Sequence, residues 1–170
     1  MTEKRNILLR AVEPSDLDCL YIWENDPQVW QFGYAPAPLS RHRLWDYISN
    51  YQANPMVEGQ LRLIVEADGE AVGSIDLYEV DAHNGHAFMG IMIAPGHRRR
   101  GYAFAAVEKM LGYCRHNLAL TQVCVYVAAD NSASLALFRK AGFRMLARLE
   151  KWVRRSAGTY ADAIMLTRML

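Results

Sequence analysis

Apolar residues along this chain recur at two periods, one suited to strands and one to helices. Short runs rich in β-branched and aliphatic residues predict strands over Ile7 to Ala11, Arg62 to Ala67, Ala71 to Val80 and His86 to Ile93. Asp68-Gly69 joins the second and third as a hairpin, and Asn84-Gly85 turns the third into the fourth. Val123 to Val127 is largely apolar, which predicts a strand buried on both faces. Phe143 to Val153 and Tyr160 to Leu166 are expected to pair across Ser156-Ala157-Gly158. Helical spacing appears in Leu17, Leu20, Tyr21 and Trp23, behind Pro14-Ser15 with Ser15 as the expected N-cap. Asn25-Asp26-Pro27 ends that helix, and the aromatic, proline-broken stretch from Trp30 to Pro38 reads as a loop with hydrophobic faces. Ser40 caps a second helix reaching about Gln52. Further helices run from Tyr102 to about Asn117 and from Ser132 to Lys140, with Gly142 just past the end of the latter.

The order is early helices, an antiparallel middle, then strand–helix–strand–helix–strand. It predicts an α/β (α+β) fold with helices on both faces of one sheet, and leaves the strand order open. The chain of 170 residues is expected to form a single domain, 1–170, with an ample core. Hydrophobic residues make up 52% and charged residues 22%, so the chain is not a disordered one. A net charge of +1 gives no field for nucleic acid or a membrane surface, and neither is expected as a partner. Three cysteines, Cys19, Cys114 and Cys124, lack framework spacing and read as reduced core thiols. With no apolar leader at the start and no run long enough to span a bilayer, a cytoplasmic location is expected.

One stretch carries chemistry. Arg98-Arg99-Arg100-Gly101-Tyr102-Ala103 lies between a predicted strand and a predicted helix. A helix start presents free N–H groups and a positive dipole end to an anion. Gly101 lets the backbone approach that anion, and Ala103 keeps the first turn small. Phosphate or pyrophosphate is the natural ligand. The bland alternative is a solvated basic turn.

Arg98-x-x-Gly101-x-Ala103 resembles the acyl-CoA pyrophosphate loop of the GNAT superfamily of N-acetyltransferases. Asn131-Ser132-Ala133-Ser134, followed by Leu137-Phe138-Arg139-Lys140-Ala141-Gly142-Phe143, resembles a later helix of the same family. Leu9 to Leu17, Trp23-Glu24-Asn25-Asp26-Pro27 and Gly158 to Ala163 resemble the branch of spermidine and ribosomal-protein N-terminal acetyltransferases. The resemblance implies a GNAT-like, mostly antiparallel twisted sheet with a splayed strand pair for coenzyme A. It implies an acyltransferase with acetyl-CoA as cosubstrate, no metal, and a primary amine as acceptor: a polyamine or a protein N-terminus is favoured and an aminoglycoside stays open, as does a homodimer. Cofactor contacts are then expected from Ile91, Met92 and Ile93, with the N–H near Met92 polarising the thioester carbonyl. The turn residues Arg98, Arg99, Arg100, Gly101, Tyr102 and Ala103, the side chain of Asn131 and, more weakly, Ser134 complete that set.

Three positions depart from the family pattern: Arg99 stands where members usually carry a small residue, a change tolerable if its side chain points to solvent, and two others bear on catalysis. Phe138 stands where a tyrosine often protonates the leaving thiolate, and Phe88 stands where a glutamate often serves as base. The remaining bases are Asp76, Glu79 and Asp81, with His83 and His86 at the turn; Asp76 or Glu79 acting through water is favoured. Water or the departing ammonium could supply the missing proton. The aromatic set Trp23, Trp30, Phe32, Tyr34, Trp45, Tyr47 and Tyr51 is core by default. Trp23 and Tyr34, with Glu24 and Asp26, are also expected to form a wall that holds a cationic amine. A non-catalytic acyl-CoA-binding module and a plain interaction protein are the rival readings.

Overall fold

In a computed structural model, residues 6–30, 37–156 and 158–170 are described. Seven strands form one sheet, β1 (Ile7–Ala11), β2 (Leu61–Ala67), β3 (Glu70–Asp81), β4 (His86–Ile93), β5 (Gln122–Ala128), β6 (Arg144–Ser156) and β7 (Thr159–Met169). Their spatial order is β1-β2-β3-β4-β5-β7-β6. Every neighbouring pair is antiparallel except β4–β5, which is parallel.

Helices cover both faces, because alternate strand residues point opposite ways. Helix α5 (Tyr102–His116) buries Ala106, Val107, Met110, Leu111 and Cys114 in the larger core, with Val65, Ile75 and Met89 from the sheet. Helices α1 (Leu17–Glu24) and α3 (Arg41–Asn50) cover the other face, where Leu20, Trp23 and Ile48 enclose Ile64 and Ala94. Ile64 and Val65 are adjacent, both fully buried, and belong to opposite cores. Truncating a core side chain such as Met110 to Ala would cost about 2–5 kcal/mol.

Local chemistry places the helix starts. Ser40 Oγ accepts the Arg43 N–H at 3.1 Å, as expected of an N-cap. Ser15 is not a cap. Glu13 precedes a 3-10 turn over Pro14–Asp16, and its N–H is accepted by the Asp16 carboxylate at 2.8 Å. Asp16 is 3% exposed and also holds Arg10 through two bonds of 2.8 Å. Two short helices were not expected, α2 (Pro27–Trp30) and α4 (Pro55–Glu58). Each opens with Asp or Asn before Pro, a cap followed by a residue already fixed for the first turn. Asp26 Oδ1 accepts the Gln28 N–H at 2.8 Å, and Asn54 Oδ1 the Met56 N–H at 3.2 Å. The signal that ends α1 therefore starts α2.

Helix α6 (Ser132–Lys140) closes on Gly142, whose φ of 80° is left-handed. Bonds from Phe143 N–H to Phe138 C=O and from Gly142 N–H to Arg139 C=O complete that terminus. The β6–β7 hairpin is longer than expected, and β6 carries three register irregularities along the sheet edge. Its turn residue Ala157, and residues 31–36 of the expected loop, lie outside the described residues. No helix among the described residues is long and apolar enough to cross a membrane.

Candidate active site

The parallel pairing of β4 with β5 covers only three residue pairs, His86↔Gln122, Ala87↔Val123 and Phe88↔Cys124. Beyond them the strands part. The splayed pair implied by the resemblance is therefore present. Strand parity says which backbone groups face the gap. Ala94 N–H donates to Val72 C=O at 2.9 Å, so bonds to β3 continue at every second residue, through Met92 and Gly90. Ile91 and Ile93 then direct their backbone groups the other way, into the gap. On β5, Ala129 N–H donates to Asp162 C=O at 2.8 Å, which commits Val127 and Val125 to β7 and turns Tyr126 and Ala128 toward the gap. Two gap-facing carbonyls are answered locally. Ile93 C=O accepts from Arg98 Nε at 3.0 Å, and Ala128 C=O from the Asn131 N–H at 2.9 Å. Of the three residues expected here, the N–H of Met92 faces β3, while those of Ile91 and Ile93 face the gap.

The basic turn follows β4. Arg98, Arg99, Arg100 and Gly101 are exposed, while Tyr102 is buried and Ala103 packs on the core. Gly101 has φ 84° and is the N-cap of α5, with no side-chain bond closing the helix start. Arg99 is also left-handed, at φ 60°. Two such residues in one turn curl the backbone around an open set of N–H groups, the geometry of an anion-binding concavity.

A cleft of about 360 Å³ runs along the gap. Its lining includes Met89 to Met92 from β4, Tyr126 to Ala128 from β5, and Asn131, Ser134 and Phe138 from the α6 region. Ile93 is not in that lining. Asn131 Oδ1 accepts the Ser134 N–H at 3.1 Å, so it caps α6 while facing the cleft. Phe138 is 4% exposed and stands edge-on to Phe143, with ring centroids 5.1 Å apart. It offers the cleft no proton.

A charged wall is built from side chains on the other side of the sheet from α5. Arg62 lies opposite Asp76 in the β2–β3 register, and Asp76 lies opposite Gly90 in the β3–β4 register. Arg62 forks onto Asp76, with Nε to Oδ1 at 2.7 Å and Nη2 to Oδ2 at 3.1 Å, and gives Nη1 to Glu24 Oε1 at 2.5 Å. Its guanidinium also lies over the Tyr47 ring, 5.8 Å from the centroid. Burial pulls its pKa down, and Asp76 and Glu24 more than offset that, leaving it above the ordinary value. The cationic partner of this wall is thus a residue of the chain itself, which sequence reading missed. Its signal was an Arg near the start of β2 facing an Asp at the middle of β3, legible only once the register is known.

Glu24, Arg62, Asp76 and Tyr78 form a common wall between the cleft and a second chamber of about 400 Å³. The other expected residues scatter. Trp23 lines the cleft and joins the core beneath α1. Asp26 caps α2. Glu79 is exposed on the β3 bulge at φ 48°, and neither hollow is lined by it. Asp81 accepts from Asn84 at 2.8 and 2.7 Å within the turn. Tyr34 and Phe32 lie outside the described residues. Tyr51 belongs to the fold: its hydroxyl accepts the Arg62 N–H.

An aromatic row crosses the same face. Tyr78 stacks on Phe88 at 5.7 Å, Phe88 on Tyr126 at 4.8 Å, and Trp152 follows at 6.4 Å. Phe88 is thereby a packing residue. Tyr126 stands just past the last β4–β5 pair, in the cleft, and desolvation followed by the nearby Glu79 charge raises its phenol pKa. Burial pushes the Cys114 thiol up to about 12, consistent with an inert core residue.

The model of the acetyltransferase (GNAT) domain matches residues 6–144. The chain belongs to the GNAT acetyltransferase family. This GNAT chain is 25% identical over 143 residues to the spermidine N(1)-acetyltransferase of Escherichia coli (strain K12), covering 84% of this chain and 75% of that one. It is 27% identical over 165 residues to the L-amino acid N-acetyltransferase of the same organism, covering 96% and 98%. The spermidine N-acetyltransferase of Vibrio cholerae, solved with CoA and spermine, has the same fold, with a TM-score of 0.87 at 24% identity over 96% of this chain and 95% of that one. As a GNAT enzyme the protein transfers acetyl from acetyl-CoA to an amine, and the expected mixed, mostly antiparallel sheet is that of the family.

Proposed function

We propose that the gap between β4 and β5 holds the acetyl-CoA arm, with its diphosphate at the turn Arg98 to Ala103 and its thioester near the apex at Phe88. The observation that carries this reading is the loss of β4–β5 pairing after three residue pairs, with Ile91 and Ile93 N–H groups left facing the gap. Ile91 N–H is the donor suited to the developing oxyanion. Asn131, with the turn arginines, supplies further polar contacts. The acceptor amine reaches the apex over Gly90, which puts no side chain in the way, and its N–H groups meet the Asp76 carboxylate.

The amine nitrogen attacks the thioester carbon directly, the C–S bond breaks, and the acetamide forms without a covalent enzyme intermediate. Holding both reactants together supplies much of the rate. The ammonium proton leaves through water at Asp76, while Tyr126 gives its phenolic proton to the departing thiolate, the role that Phe138 cannot fill. The enzyme is expected to act on a small-molecule amine or a protein N-terminus. The test is incubation of the full chain with acetyl-CoA and an amine panel, following CoA thiol release and the mass of the acetylated product. Tight acetyl-CoA binding without turnover across the panel would select a binding module instead.

A further inference from the structure

We infer that the acceptor is the α-amine of an apolar amino acid, bound as a zwitterion. This deepens the acetyltransferase reading above and rests on it. The second chamber, about 400 Å³, meets the cleft at the Glu24–Arg62–Asp76 wall, so a molecule filling it presents one end to the thioester. Its sides are apolar, with Leu39, Leu44, Leu61 and Tyr47. Its charge is balanced. Glu24 and Asp76 both already accept from Arg62. Arg43 is a second guanidinium on the lining, and it makes no ion pair among the described residues.

Other carboxylates near this face are spent elsewhere. Asp26 caps α2, Asp81 holds its turn, and Glu79 stands on the exposed bulge. Residues 31–36, Gln31-Phe32-Gly33-Tyr34-Ala35-Pro36, contain no Asp, Glu, Lys or Arg, so that segment adds no carboxylate wherever it lies. A polyamine could set one ammonium at Asp76, as any amine would, but its next ammonium would come toward Arg43 instead of a carboxylate. Arg43 is exposed at the chamber rim, and like charges brought together there repel, though water screens them. A zwitterion meets each group with its opposite. Its ammonium faces Asp76, its carboxylate takes the Arg43 fork, and its side chain fills the leucine-lined wall.

The experiment measures kcat/KM on the full chain at saturating acetyl-CoA. The acceptors are L-phenylalanine, L-methionine, phenylalaninamide, phenethylamine and spermidine. L-Phenylalanine is expected to exceed phenethylamine, phenylalaninamide and spermidine by at least about tenfold, since each lacks the carboxylate. Arg43→Ala should raise the KM for L-phenylalanine about tenfold and erase its advantage over phenethylamine, and Arg43→Lys should restore part of it. Preferred turnover of spermidine, or of phenylalaninamide as a peptide N-terminus mimic, would overturn the inference and leave the acetyltransferase reading standing. So would an Arg43→Ala enzyme with unaltered preference, or acetyl-CoA binding with no turnover of either amino acid. If calorimetry shows no acetyl-CoA binding at all, both fall.

Discussion

Replacing Arg62 by Met tests the wall on which the acceptor site is built. Met keeps most of the length and apolar stem but deletes three charge-assisted hydrogen bonds, of 2.7, 3.1 and 2.5 Å, and the contact with Tyr47. It leaves Glu24 and Asp76 facing each other without a cation. Breaking a fully buried pair costs about 3–5 kcal/mol. These side chains are 23%, 24% and 28% exposed, so water partly screens the loss. About 2–3 kcal/mol is the resulting expectation. For a domain of this size that lowers the Tm by roughly 4–12 °C. The assay is urea and thermal unfolding of wild type, Arg62→Met, and Arg62→Met with Asp76→Asn. The double variant removes one of the two stranded charges and should recover part of the loss. A wall left with uncompensated carboxylates should also turn over spermidine better, relative to L-phenylalanine, than wild type does. A single variant within about 0.5 kcal/mol of wild type, or a double variant no more stable than the single, would refute the claim that Arg62 organises this wall.

Gly101→Val places a β-branched residue at φ 84° and a Cβ where phosphate oxygens must approach; acetyl-CoA affinity should fall at least about tenfold by calorimetry, and unchanged affinity would remove the turn from the site. Tyr126→Phe should lower kcat by about tenfold or more with little change in acetyl-CoA KM, and adding Phe138→Tyr should return part of the rate; no loss in the single variant means that solvent protonates the thiolate. Asp16→Asn should cost about 2–3 kcal/mol at neutral pH. Burial favours protonation of Asp16, but Arg10 and the Glu13 N–H outweigh it and hold the pKa below the usual 3.8. That contribution is present above the unfolded pKa and is lost as pH falls through the folded one, so wild-type and variant unfolding curves should converge in acid.

The strands and long helices were legible because their apolar periods are clean, and the basic turn because Gly101 sits where a strand gives way to a helix. Asn131 was legible as the cap of α6. The short helices α2 and α4 were hidden by their prolines, which stop a chain and start one with equal ease. The charged wall proposed to border the acceptor was only half legible. Glu24 and Asp76 could be named as carboxylates of that region, but their partner Arg62 is distant in sequence from both, and only strand register brings it between them. Glu79 was misplaced for a local reason: the bulge near the end of β3 turns it outward. Tyr126 went unremarked because a continuous apolar strand hides which member faces the gap, and parity against β7 settles that.

The parting of β4 and β5 also makes this sheet an unfinished one. Its two inner edges expose backbone groups in the manner of edge strands, yet they are sheltered from neighbouring chains by lying inside the fold. The pantetheine arm of CoA carries two amide groups on an extended chain, so on the reading proposed above it would enter as a surrogate strand and complete the ladder. Binding therefore resembles the last step of folding. Amide hydrogen exchange at Ile91 and Ile93 should slow when CoA occupies the gap, while Met92, already bonded to β3, should change far less.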